Sequence, residues 1–105
     1  ISTIKRGYLM LDELMDRAWK KGYTCHEFAC EAWEKITGKE LTLKKRKPIK
    51  QPESPCIVFL YNNERSDSHV GIFYQGRVIH LGVRGVQYVP LECLTIGFRK
   101  VSFYK

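Results

Sequence analysis

Long apolar runs are missing from this 105-residue chain, and that absence settles a first question. The longest run, Cys56-Ile57-Val58-Phe59-Leu60-Tyr61, has the length of a buried strand and falls far short of the roughly 18 residues a membrane span requires. No charged-then-apolar leader is visible either, so no signal peptide is expected and synthesis in the cytoplasm is. Closely spaced cysteine pairs are also lacking. Cys25, Cys30, Cys56 and Cys93 include no C-x-x-C, so no metal site is expected. Cys25 and Cys30 lie on one expected helix, where a five-residue step turns the second roughly 140° from the first and prevents a bridge between them. With no export signal visible, reduced thiols are expected. Internal repeats and low-complexity tracts are absent.

Acidic residues are scarce: 11 stand against 18 basic ones, a formal net charge of +7. That balance favours acidic partners, namely nucleic acid, cell-wall polymers or anionic membranes. Much of it is concentrated in Lys44-Lys45-Arg46-Lys47 and Lys50. Such a run is read as a solvated loop or as a nucleic-acid patch, and no aromatic residue interleaves with it to stack on bases. With 44% hydrophobic and 28% charged residues, the composition is that of a globular chain. Its length allows one domain, residues 1–105.

Two helices are expected first. Leu11, Leu14, Met15, Ala18 and Trp19 share one face of a helix over 8–20, with Gly22 beyond its end. Thr24-Cys25-His26-Glu27 fits a capping box, so the second helix starts at Cys25, buries Phe28, Ala29, Ala32, Trp33 and Ile36, and closes at Gly38. Trp19 and Trp33 are both expected in the core. A loop of about a dozen residues, marked by Pro48, Pro52 and Pro55, then leads to strands over 56–61, 69–74, 77–81, 86–89 and 98–104. Gln75-Gly76 is a tight hairpin turn, and 62–68 is a longer polar connection. Helices followed by an antiparallel sheet of about five strands make an α+β domain.

A thiol at the first helical position faces unpaired backbone N–H groups and the positive end of the helix dipole, which favour the nucleophilic thiolate. The hairpin supplies partners. If Gln75-Gly76 is a two-residue turn, His80 lies opposite Gly71 and His69 opposite Gly82, so the two histidines are diagonal neighbours on one face of the hairpin. Facing glycines leave room for imidazoles and for a closely approaching substrate. Nucleophilic catalysis needs a thiolate, an imidazole to carry its proton and a group to orient the imidazole. Cys25, His69 and His80 fill these roles in that order, and the Cys25 backbone N–H is a candidate oxyanion donor. His26 points about 100° away on the helix, toward the rim of the site. Cys30, Cys56 and Cys93 are read as packing residues.

Tyr23-Thr24-Cys25-His26-Glu27-Phe28-Ala29, Ile57-Val58-Phe59-Leu60, Ser68-His69-Val70-Gly71-Ile72-Phe73 and Val78-Ile79-His80 together resemble the NlpC-type cell-wall cysteine peptidases. The likeness runs from Leu11 to about Leu91. The stretches 84–91 and 98–104 resemble the short phage-tail-associated members. The resemblance implies a compact papain-like fold, with the nucleophile helix packed on the sheet. It also implies cleavage of an amide in a peptidoglycan stem peptide, with no cofactor and no metal. Tyr23, His26 and Gly71 are then the candidate substrate-binding residues. The chain departs from the family in having Thr24-Cys25-His26-Glu27 where Asp-Cys-Ser-Gly is usual, and Pro55-Cys56 where Gly-Asp is usual.

The expected partners are a peptidoglycan peptide or another anionic polymer, together with phage tail proteins or a fused upstream domain, and the expected place of action is the cell wall, as part of a virion. Two other functions compete. One is a papain-like-fold nuclease toxin acting on RNA, motivated by the basic segment. The other is a catalytically silent assembly domain of a phage tail.

Overall fold

A computed structural model describes residues 11–42, 46–62 and 69–105. Residues 11–14 are helical, and the chain then turns over 15–16. The hydrogen bonds from Met15 N–H to Asp12 O (3.2 Å) and from Arg17 N–H to Leu14 O (3.2 Å) are i→i−3 bonds, the tightening that ends a helix. The helix expected over 8–20 is thus corrected at its C-terminal end, while 8–10 lie outside the described residues. Leu11 and Leu14 are buried as expected, but Met15 and Trp19 are exposed by 43% and 46%. The helical spacing of their side chains persists in the sequence after the backbone has stopped being helical.

Helix α1 (Cys25–Thr37) follows its sequence signals closely. Thr24 is the N-cap, its backbone N–H donates to Glu27 Oε1 (2.7 Å), and its hydroxyl donates to the same oxygen (2.8 Å). Gly38 ends the helix in the left-handed region at φ 73°. Phe28, Ala29, Ala32 and Trp33 are buried along one stripe.

The remaining elements are β1 (Pro48–Ile49), β2 (Cys56–Tyr61), β3 (His69–Tyr74), β4 (Arg77–Gly82), β5 (Gly85–Pro90), α2 (Leu91–Thr95) and β6 (Lys100–Tyr104). They form one six-stranded antiparallel sheet in the order β1-β6-β2-β3-β4-β5. The sixth strand is the short edge pair Pro48–Ile49, inside what the prolines mark as a loop. Backbone hydrogen bonds between Lys47 and Lys105 (3.1 and 3.0 Å) extend its pairing with β6. The last strand starts at Lys100 and not at Phe98, because Leu91–Thr95 forms a short helix and Phe98 N–H bonds back to Thr95 O (3.3 Å). The β3–β4 turn is as expected: Gln75 at φ 51° and Gly76 at φ 84° have the paired positive values of a type I′ turn.

Side chains alternate between the two faces of a strand, and this separates two apolar clusters. On one face, Phe28, Ala29, Ala32 and Trp33 of α1 and Leu11 and Leu14 of the first helix pack on Ile57, Val70, Ile72, Ile79 and Leu81. On the other, Cys56, Val58, Leu60 and Val78 gather Phe73, Leu91, Leu94, Phe98, Val101 and Phe103. The molecule is an α+β domain with α1 on one face of the sheet and α2 and the chain after it on the other. Among the described residues, no helix is long and apolar enough to cross a membrane.

Candidate functional site

Register places the two histidines. Gly71 pairs with His80 across β3–β4, while His69 pairs with Leu60 across β2–β3. His69, Gly71, Phe73, Val78 and His80 therefore share the face opposite α1, beside the second cluster. The diagonal contact expected from the hairpin is present: His69 Nε2 lies 2.8 Å from His80 Nδ1, and the rings meet edge to face at a centroid distance of 4.9 Å. Phe98 stacks on the other side of His69, 6.0 Å away and inclined by 4°. His80 is 6% exposed, the one buried polar residue in the core of the described chain.

Both imidazoles are held neutral. Burial lowers the His69 pKa below its ordinary value, and the charge of His26 lowers it further. Burial, followed by the neighbouring His69, brings His80 down to about 4, opposed by an interaction with Gln87. In a pair of neutral imidazoles, one ring donates and the other accepts across the 2.8 Å contact. His80 Nε2, at the far side of the ring, is buried and has no hydrogen-bond partner.

Cys25 is the first residue of α1, half-buried and packed against the α1-side cluster. It thus approaches from the other face of the sheet than the one that carries the imidazoles. No hydrogen bond joins its thiol to either ring among the described residues. His26, the second residue of α1, is nevertheless within electrostatic reach of His69. His69 is the first residue of β3, at the strand's end, where a side chain can be approached around the edge of the sheet.

Tyr23, His26 and Gly71 differ in what they offer a substrate. His26 is exposed at the helix start, as a rim residue would be. Tyr23 is half-buried and its hydroxyl donates to Glu31. Burial first, and then that carboxylate, pushes the phenol up to about 12. Arg17 clamps the same Glu31 through Nε (3.1 Å) and Nη2 (2.9 Å), so the polar end of Tyr23 is committed to an internal network. Gly71 is buried and borders no open space. A Cβ there would meet Val78 Cγ1 at 2.8 Å, Ile79 O at 3.0 Å and His80 Cβ at 3.1 Å. The glycine lets β3 and β4 close beneath His80, which corrects the expectation of room for a substrate at that point. No Cβ contact within 4 Å arises at Gly82.

The other thiols also divide. Cys56 is fully buried, as a packing residue should be, whereas Cys30 and Cys93 are exposed and do not pack the core. All four are free thiols. Among the described residues, no group of three or more His, Cys, Asp or Glu side chains is arranged to hold a metal ion. Of the basic segment, 44 and 45 lie outside the described residues. Arg46 stacks its guanidinium 4.8 Å over the Trp33 ring and donates from Nε to Thr42 O (3.0 Å), so one of its charges is tied to the domain.

Two neighbours of the histidines escaped the sequence reading. Phe98 opens the strand expected over 98–104, a position from which its stacking on His69 cannot be read. Gln87 stands opposite His80 across β4–β5. Its signal was available, since Gly82 and Gly85 flank a two-residue Val83-Arg84 turn that fixes the register. Comparison with known proteins brings no relative to this arrangement: no protein-family model, no curated protein and no solved structure matches the chain.

Proposed function

We propose that this domain is a cysteine hydrolase of papain-like type, akin to the NlpC-type cell-wall peptidases, that cleaves an amide bond in a peptidoglycan stem peptide. Cys25 is the nucleophile, His69 the proton carrier and His80 the group that orients it. The observation that carries the reading is the pair of half-buried His69 and buried His80 at 2.8 Å, within electrostatic reach of His26 on the helix that begins with the Cys25 thiol. Withdrawing two imidazoles from water, His80 fully and His69 in part, costs stability, and a purely structural position would be served as well by apolar side chains.

In this chemistry, the Cys25 sulfur attacks the amide carbonyl carbon while His69 holds the thiol proton. The C–N bond breaks as that proton passes to the leaving amine, giving a thioester on Cys25. Water then adds to the thioester carbonyl, with His69 taking its proton. Loss of the sulfur frees the acid, and the thiol regains its proton. The backbone N–H groups at the start of α1 are available to the oxyanion. Cys25 packs on the α1 side of the sheet, so the assignment requires its thiol to reach His69 around the end of β3 when substrate binds. The net charge of +7 suits a carboxylate-rich stem peptide.

Alkylation by iodoacetamide, followed at each cysteine by peptide mass spectrometry across pH 5 to 9, tests the reading. Cys30 and Cys93 are internal controls because both are more exposed than Cys25. Cys25 is expected to react first despite its lesser exposure, and His69→Ala to abolish that lead. Release of stem-peptide fragments from peptidoglycan should fall by about 100-fold or more in both Cys25→Ala and His69→Ala. Should Cys30 and Cys93 outpace Cys25 throughout, the hydrolase assignment fails and a binding or assembly role takes its place.

A further inference from the structure

Nε2 of His80 is the loose end of the histidine pair. It is buried, it has no hydrogen-bond partner, and a bare polar atom in such a place is uncommon. The β4–β5 ladder sets Gln87 directly opposite His80, so both side chains leave the same face of the sheet. We propose that Gln87 is a positioning residue: its amide oxygen accepts the Nε2 proton of His80 and thereby selects the tautomer of both histidines.

The selection follows from proton counting along the 2.8 Å contact. Each neutral ring carries one N–H. If His80 bears its proton on Nε2, its Nδ1 is a lone pair and can only accept, so His69 Nε2 must donate. His69 Nδ1 is then bare and free to act as a base. If His80 bears its proton on Nδ1, it donates to His69 Nε2, and His69 must carry its own proton on Nδ1, where it has no basic lone pair to offer. The two arrangements differ in which nitrogen of each ring holds its proton, and only the first serves a proton carrier. An amide oxygen turned toward Nε2 stabilises that arrangement by about one neutral hydrogen bond. The direction of Gln87's influence on His80, toward the proton-bearing ring, agrees with an accepting oxygen. The pairing of Gln87 with the open Nε2 of His80 stands on the strand register and on the burial of that atom, while its catalytic consequence rests on the hydrolase reading above.

Imidazole nitrogen and carbon chemical shifts of the 15N/13C-histidine-labelled protein at pH 7.5 report the tautomers without any need for activity. Both His80 and His69 are expected in the Nε2–H form. Gln87→Leu should shift His80 measurably toward Nδ1–H, and Gln87→Glu, whose carboxylate can only accept, should restore Nε2–H. With a stem-peptide substrate, Gln87→Leu should lower kcat by about two- to tenfold with KM unchanged, the kinetic equivalent of that hydrogen bond, and Gln87→Glu should recover it. A His80 found as Nδ1–H in the unaltered protein overturns the proposal. So does a tautomer ratio that Gln87→Leu leaves unmoved. An inactive protein whose His80 is Nε2–H and responds to Gln87 as expected would instead overturn the hydrolase reading and leave the tautomer assignment standing.

Discussion

The two faces of the sheet are made by the same strands and have opposite characters. Facing α1, Ile57, Val70, Ile72, Ile79 and Leu81 meet helical side chains in a dry apolar layer. One residue along each strand, the other face carries Cys56, Val58, Leu60 and Val78 together with two imidazoles. Polar groups enter this second layer in a pair that satisfies one contact internally, next to a glycine with no side chain to displace them. The difference teaches how the domain divides its labour. The α1 side holds the fold together, and the far side spends part of that stability on groups that titrate.

The largest effect that would sharpen this contrast is on the α1 side. Phe28 is fully buried between helix and sheet. Phe28→Ala is expected to cost about 3–5 kcal/mol in urea unfolding, enough to threaten the native state. On the histidine side, acid is the probe. His80 titrates near 4 in the folded chain and near 6.5 when unfolded. Between those values the unfolded state binds the extra proton, so stability is full above pH 6.5 and declines as pH falls toward 4, by an amount on the order of 2 kcal/mol. His69 is shifted in the same direction and adds to the decline. Unfolding free energies at pH 7.5 and 4.5 should show the loss, and His80→Leu should flatten it. A protein as stable at pH 4.5 as at 7.5 would erase the distinction between the two faces.

Gly71 marks where the titrating face meets the constraints of close packing. The added Cβ of Gly71→Ala overlaps Val78 Cγ1 and crowds the backbone oxygen of Ile79, so a loss of about 1–2 kcal/mol is expected from overpacking. Part of it should be returned when Val78→Ala is combined with it, and a double-mutant cycle by urea unfolding measures that coupling. Simple additivity would show that the backbone oxygen, not the valine, sets the limit.

The features legible in the sequence were those written in local chemistry. Thr24 and Glu27 fixed the start of α1, and Gln75-Gly76 fixed the β3–β4 register from which the histidine contact follows. The errors arose where local signals were weak or misleading. Met15, Ala18 and Trp19 keep a helical period through a segment that has turned away, because periodicity records side-chain type and not the hydrogen bonds that end a helix. Pro48–Ile49 and Leu91–Thr95 are too short to develop any period, and their existence depends on β6 and β5, distant or adjacent elements that a local window does not weigh. The face occupied by each candidate residue was readable by parity along the strands. The face covered by α1, and hence the separation of Cys25 from the imidazoles, was not.

Phe98 gives the subtlest handle on the comparison. Its ring lies parallel to His69 at 6.0 Å and belongs to the same cluster as Val78 and Leu60, so it both packs that face and keeps water from the imidazole. Removing it in Phe98→Ala should cost only about 1 kcal/mol, since the residue is half-buried and its surroundings can relax. The informative readout is the titration of His69 by NMR. With Phe98 gone, water reaches the ring, the desolvation that lowers its pKa weakens, and the pKa should rise toward the ordinary value of about 6.5. His26, exposed at the start of α1, lowers the same pKa electrostatically, so His26→Ala should raise it too and should do so less at high salt, where that interaction is already screened. A rise in Phe98→Ala that is independent of salt, beside a salt-dependent rise in His26→Ala, would separate burial from charge at one ring. No movement in Phe98→Ala would mean that the sheet alone keeps His69 dry.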